Sequence, residues 1–237
     1  MNDKYTDSDI HINNKLVEKL DNFWFYHKWH IIISIFVIFA LVVCIAQSCS
    51  KTDYDVNVLY AGPHTFTITE TDSIIEELNG VMPRDFNGDE EKNTAFVTYQ
   101  VLNTEQMEAL QKKLSEEEEG ARLDTSYFTS QTDMYNSAIM TGEYSILLID
   151  ETLYQKLANM EGRLRKLSEV LVTVPESAFS EYGIRFRKTA LAKNSKYLGQ
   201  LPENTVLCLL SPYVFGASSN EKTYSQTTEM FVSMAKD

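Results

Sequence analysis

The chain has 237 residues, 43% of them hydrophobic, with 21 basic against 34 acidic residues and a formal net charge of −13. Its apolar residues are unevenly spread: positions 31–46 read IIISIFVIFALVVCIA, with one Ser and no charge. A single such run in a chain of negative mean hydropathy weighs against a polytopic transporter or channel. Beyond position 50 there remain 17 basic and 29 acidic residues, a surface that repels nucleic-acid phosphate and anionic lipid.

Residues 1–9 are polar. From Ile10 the spacing of Ile12, Leu16, Leu20 and Phe23 is helical, which predicts an amphipathic helix within an N-terminal segment 1–29. With its flanks the apolar run predicts a membrane span over 30–49, about 30 Å at the helical rise and enough to cross a bilayer core. The lipid bilayer is the partner expected for these residues. Lys15, Lys19 and Lys28 precede the run, whereas only Lys51 follows it closely. The positive-inside rule then predicts a cytoplasmic N-terminus and an extracellular C-terminal domain at the cell membrane. The aromatic cluster FWFYHKW at 23–29 suits a headgroup boundary. Some 30 residues precede the run, too many for a cleaved secretory signal, so a signal anchor is expected. A second reading is a lipoprotein acylated at Cys49, although Ala46-Gln47-Ser48 matches the usual residues before such a Cys only in part.

Residues 50–54 read as a tether, and 55–237 as one α/β domain. DVNVLYAG at 55–62 alternates Val56, Val58 and Tyr60, predicting a strand that ends at Gly62-Pro63. A helix is expected from about Thr69, with Asp72 completing a capping box and Gly80 stopping it. After the polar loop 84–93, AFVTYQVL at 95–102 reads as a second strand. Asn103 or Thr104 then caps a helix carrying Met107, Leu110 and Leu114, which runs out in the acidic stretch 115–124. A helix over 125–141, stopped by Gly142, leads to a strand at 144–150 and a helix that stops at Gly162. The remainder predicts a strand near 184–187, a long strand near 205–211 and a closing helix from about 219 with Tyr224, Thr228, Phe231 and Ala235 on one face. Alternation of this kind predicts a mostly parallel sheet flanked by helices. Cys208 is the only Cys of the domain, so no internal disulfide supports it.

The inventory of reactive residues is thin. His64 is the only His beyond the anchor region, and GxSxG, HExxH and Gly-rich Lys-Ser/Thr loops do not occur. Two SxxK strings, Ser48 to Lys51 and Ser219 to Lys222, lack SDN and KTG companions. Asp85, Asn87 and Asp89 place oxygen ligands at alternate positions, as a calcium loop does, yet Glu90 stands where that loop needs Gly and Phe96 where it needs an acid. The run Glu116 to Glu119 reads as a solvated helix end. No cofactor is called for.

Ala138-Ile139-Met140-Thr141-Gly142 ending a helix, the strand through Leu148-Ile149-Asp150, and then Leu153, Leu157, Gly162, Leu164 and Leu167 form a recognisable succession. It resembles the core of bacterial extracellular solute-binding proteins with the type 2 periplasmic-binding fold. Gly62-Pro63 after the opening strand and the closing strand at 206–210 fit the same plan. As a whole the chain resembles short membrane-tethered clostridial proteins that carry an abbreviated form of that domain. It departs from the family where Pro-Asp is Glu143-Tyr144-Ser145 and where Leu-Pro is Arg165-Lys166. Sugar-binding members close two lobes on a ligand, whereas the 187 residues beyond position 50 suffice for one.

The resemblance implies a single-lobe α/β fold with any ligand site at the carboxyl ends of the parallel strands. Those ends carry Gly62, Pro63 and His64, then Asn103, then Asp150 and Glu151. It implies a non-enzymatic membrane protein that captures a small solute or docks on a transporter subunit, with no nucleic acid involved. Two alternatives stand beside it: an interaction scaffold that has lost its ligand, and a hydrolase using acidic residues.

Overall fold

A computed structural model describes residues 15–49, 54–212 and 221–236. The polar N-terminus, the start of the amphipathic helix at Ile10 and Ile12, the tether at 50–53 and the start of the closing helix at 219–220 lie outside the described residues. The chain divides into two units, Met1–Thr52 and Asp53–Asp237.

In the first unit the two predicted segments are one helix, α1 (Lys15–Cys49), of 35 residues. Neither Gly nor Pro interrupts it. Asn22–Cys44, 23 residues, is long and apolar enough to span a membrane or act as a signal anchor, and none of it is buried. Phe23, Trp24, Phe25, Tyr26 and Trp29 are all exposed, with the Lys28 ammonium 5.4 Å from the Phe25 ring centroid.

The second unit is mixed α/β. Its elements are β1 (Val56–Gly62), α2 (Ile68–Val81), β2 (Thr94–Gln100), α3 (Thr104–Glu117), α4 (Thr125–Thr141), β3 (Ile146–Ile149), α5 (Glu151–Ala158), α6 (Leu167–Val170), β4 (Gly183–Arg185), α7 (Ala190–Asn194), β5 (Val206–Leu209) and α8 (Glu221–Met234). Two 3₁₀ turns, Phe186–Lys188 and Leu198–Gln200, flank α7. One sheet of order β2-β1-β3-β5-β4 organises them. β1 pairs in parallel with β2 and β3, while β5 lies antiparallel to both β3 and β4. Four strands therefore point one way and β5 alone is reversed.

Strand periodicity divides the core into two faces. Val58, Tyr60, Ile146, Leu148 and Leu207 pack with Ile74 and Leu78 of α2 and with Met230 and Phe231 of α8. Leu59, Ala61, Leu147, Ile149 and Cys208 pack with Tyr135 and Ile139 of α4 and with Leu153 and Leu157 of α5. β3 is buried on both faces, which is why it reads as four apolar residues without alternation. Each fully buried Leu or Ile contributes about 1.5–3 kcal/mol relative to exposure.

Several boundaries differ from the sequence expectation. The α2 capping box is Thr67 with Glu70, not Thr69 with Asp72, and the helix runs through Gly80 to Val81 before its cap at Met82. Thr67 takes the role because its hydroxyl accepts the Glu70 N–H while the Glu70 carboxylate accepts the Thr67 N–H at 2.8 Å. α5 closes at Ala158, four residues before Gly162, which sits at φ +71 in the following turn. At α4 Asp124 caps the start and Gly142, left-handed at φ 69, caps the end. The segment 184–187 is a three-residue strand that continues as a 3₁₀ turn, and the strand at 205–211 contracts to Val206–Leu209.

Candidate functional site

Every forward-pointing strand ends at one edge of the sheet, and the reversed β5 begins there. Asp150 follows β3 and caps α5. It is 2% exposed. One carboxylate oxygen accepts the Thr152 N–H at 2.8 Å and its hydroxyl at 2.7 Å. The other accepts the Gln106 side-chain amide at 3.2 Å and the Asn204 amide at 3.0 Å. A buried carboxylate demands such donors. Asn103 joins the same group indirectly, since it caps α3 in a capping box with Gln106. Glu151 receives a bidentate bond from Arg185, 2.8 Å to each oxygen, and that guanidinium lies 4.0 Å from the Phe179 ring centroid.

Gly62, Pro63 and His64 gather instead around Tyr60. The Tyr60 hydroxyl accepts the His64 N–H at 3.0 Å, and the imidazole stands edge-on to Phe66 with centroids 4.6 Å apart. The Gly62 carbonyl accepts the Val101 N–H at 3.1 Å, and the Pro63 carbonyl accepts from Gln100 at 3.4 Å. A side chain at Gly62 would meet the Tyr60 hydroxyl at 2.6 Å, so the absence of a Cβ is what lets the ring lie along the strand end. Burial pushes the Tyr60 phenol well above its ordinary value; the His64 N–H opposes the rise and the Asp150 charge adds to it.

The loop around Asp85, Asn87 and Asp89 turns its oxygens onto its own backbone. Asp85 accepts from the N–H groups of Gly88 (2.7 Å) and Glu90 (2.9 Å), Asn87 from Asp89 and Asp89 from Glu91. Asp55, 4% exposed, holds the loop to β1 by accepting N–H bonds from Phe86, Asn87 and Asn93 at 2.8–2.9 Å. Among the described residues no cluster of three or more His, Cys, Asp or Glu side chains is arranged to hold a metal ion.

Beside the strand ends, on the face covered by α4 and α5, lies a half-open cleft of about 980 Å³. Its floor is apolar and buried, formed by Val101, Tyr135, Ile139, Leu153 and Leu157. Its rim carries Asn103, Asn136, Thr152, Lys156 and Glu161, and Met140 and Met160 stand at the mouth, 57% and 52% exposed. Burial raises the Tyr135 phenol, with the Arg163 charge acting in the opposite direction. An apolar floor with a few polar groups around it suits binding of a partly apolar molecule.

Of the six strand-end residues named from the sequence, Asn103 alone lines this cleft. Gln106 was within reach of sequence reasoning as the third residue of an Asn-x-x-Gln capping box. Arg185 and Asn204 lie 34 and 54 positions from the carboxylates they serve, and no local pattern signals them. The cleft is lined by residues of α4 and α5 on one sheet face, a placement that no local pattern signals. Comparison with protein-family models, with curated proteins and with solved structures returned no match.

Proposed function

We propose that this chain is a non-enzymatic, single-pass membrane protein, anchored through α1 with its N-terminus cytoplasmic, whose extracellular α/β unit captures a small solute in the cleft between α4 and α5. The cleft carries the reading: about 980 Å³ over a buried apolar floor, with hydrogen-bonding side chains at its rim, is room for a small organic molecule. The strand-end carboxylates support binding over catalysis, since Asp150 and Glu151 are each held by internal donors. The helix closed by Gly142, the following strand and the short helix before Gly162 support kinship with one lobe of the type 2 periplasmic-binding fold.

The test is a thermal-shift screen of residues 53–237 against sugars, amino acids, short peptides and medium-chain carboxylic acids. Both core clusters lie wholly within that unit. A solute at a hundred times its Kd adds about 2.7 kcal/mol to native stability, or roughly 5–10 °C for a unit of this size. Ile139→Trp, which fills the floor, abolishes the shift. No stabilisation by any class, or a shift that Ile139→Trp leaves intact, overturns the solute reading.

A second reading, a scaffold or transporter-docking module without a solute, draws on Met140 and Met160. Flexible thioethers at a cleft mouth adapt to protein partners.

A further inference from the structure

The two outer strands of the sheet are finished differently. The free edge of β4 is closed by the preceding chain: Ala178 bridges Ile184, Phe179 donates to the Gly183 carbonyl and Arg185 to the Ser177 carbonyl. Among the described residues no strand or bridging segment covers the outer edge of β2 in this way. The Val101 N–H bonds to the Gly62 carbonyl, so the odd-numbered residues of this parallel ladder face β1. Thr94, Phe96, Thr98 and Gln100 therefore turn their main-chain groups away from the sheet. The outermost two N–H groups are stoppered, Thr94 by the Asn79 side-chain oxygen at 2.8 Å and Gln100 by that of Gln131 at 3.2 Å. Among the described residues nothing bonds to the outward N–H groups of Phe96 and Thr98 between them. Edge strands are ordinarily blunted by charge, Pro or a bulge. From Thr94 to Asn103 this chain has no charge and no Pro.

We infer that this window pairs with the same strand of a second copy of the chain, antiparallel, about a two-fold axis at Val97. The stoppers are the reason for that register. They stand three residues to either side of Val97, so an axis there sets Phe96 opposite the partner's Thr98 and stoppered ends opposite stoppered ends. Four main-chain hydrogen bonds form. Slipping the pair by two residues sets Phe96 or Thr98 opposite a residue whose own N–H is already stoppered, so that two of the pairs exchange one bond in place of two. Charge selects the same place: beyond position 50 each copy has 17 basic and 29 acidic residues, and two such surfaces approach with least repulsion where the strand is uncharged. The contact is isologous and small, so its occupancy follows the density of protein in the membrane.

The test uses the full chain in phosphatidylcholine vesicles with Cys44 and Cys49 replaced by Ser. Cys208 stays, being buried. A cysteine is placed at position 97 or 95 and oxidised. On the axis the two Cα atoms are about 4.5 Å apart, as in a non-hydrogen-bonded antiparallel pair, and within disulfide range. At position 95 the same geometry separates them by roughly 14 Å. Val97→Cys should give at least tenfold more covalent dimer than Ala95→Cys. Adding Thr98→Pro to Val97→Cys removes the outward donor without touching the β1 ladder and should cut the yield at least fivefold with an unchanged circular dichroism spectrum. If the proline variant does not fold, the contrast between 95 and 97 decides alone. Equal yields at 95 and 97 indicate collision or parallel pairing and overturn the inference. Monomer throughout, which leaves the edge to a strand from a different protein, overturns it too, as does undiminished linking in a folded Thr98→Pro variant.

Discussion

Gly62→Ala tests how tightly the strand end is filled. The added methyl would stand 2.6 Å from the Tyr60 hydroxyl, closer than real Cβ atoms come, and 3.0 Å from its Cζ, tighter than nearly all real contacts. Tyr60 cannot swing aside freely. It is fully buried, and its ring meets Phe66, which in turn meets Phe96, at centroid distances of 5.6 and 5.9 Å. Overpacking of this kind costs about 1–3 kcal/mol, and displacing the hydroxyl from the His64 N–H adds about 1 kcal/mol. A loss of about 2–3 kcal/mol is expected, or roughly 5–10 °C in Tm for a unit of this size. Thermal unfolding of residues 53–237 followed by circular dichroism reads it directly. Tyr60→Phe alone should cost about 1 kcal/mol through the lost hydrogen bond. The double variant should be more stable than the sum of the two losses predicts, by at least about 1 kcal/mol, because the clashing oxygen is gone. A Gly62→Ala loss below about 0.5 kcal/mol, or strictly additive losses, would refute the close approach of Tyr60 to the Gly62 backbone.

Three further outcomes are expected. Asp55→Ala removes the acceptor for the N–H groups of Phe86, Asn87 and Asn93 and should cost about 3 kcal/mol, whereas Asp55→Asn, which can still serve two of the three, should cost about half as much in urea unfolding. In acid, hydrogen bonds from Gly88 hold the Asp85 carboxyl below its ordinary range, as those from Thr67 do for Glu70 and those from Ser126 for Asp124. Lowered values favour the folded state above the unfolded pKa of about 4 and lose that advantage as pH falls through the folded values; Tm should therefore drop between about pH 4 and pH 2, less steeply in Asp85→Asn. In alkali the signs reverse. Burial raises the phenols of Tyr60 and Tyr135 and pushes Tyr224 up to about 12, so phenolate absorbance should lag that of the urea-unfolded chain and native stability should decline above about pH 10.

Elements whose signals are local were legible in the chain. The apolar run within α1, the alternation in β1, the Asn103 cap and the Gly142 stop each depend on residues a few positions apart, and the helices and strands stand close to where these signals put them. The α2 cap was misplaced by two residues because Thr67 and Thr69 are both followed three positions later by an acid, and only the backbone geometry distinguishes them. The direction of β5 was not legible, since an apolar run carries no arrow. That direction decides the strand-end chemistry: running against β3, it brings Asn204 to Asp150 across 54 positions, as β4 beside it brings Arg185 to Glu151 across 34. The cleft has the same origin, in the placement of α4 and α5 on one face of the sheet. Short-range hydrogen bonding and periodicity wrote the elements into the sequence; which carboxylate meets which donor, and where a ligand finds room, depended on contacts that form only when the sheet closes.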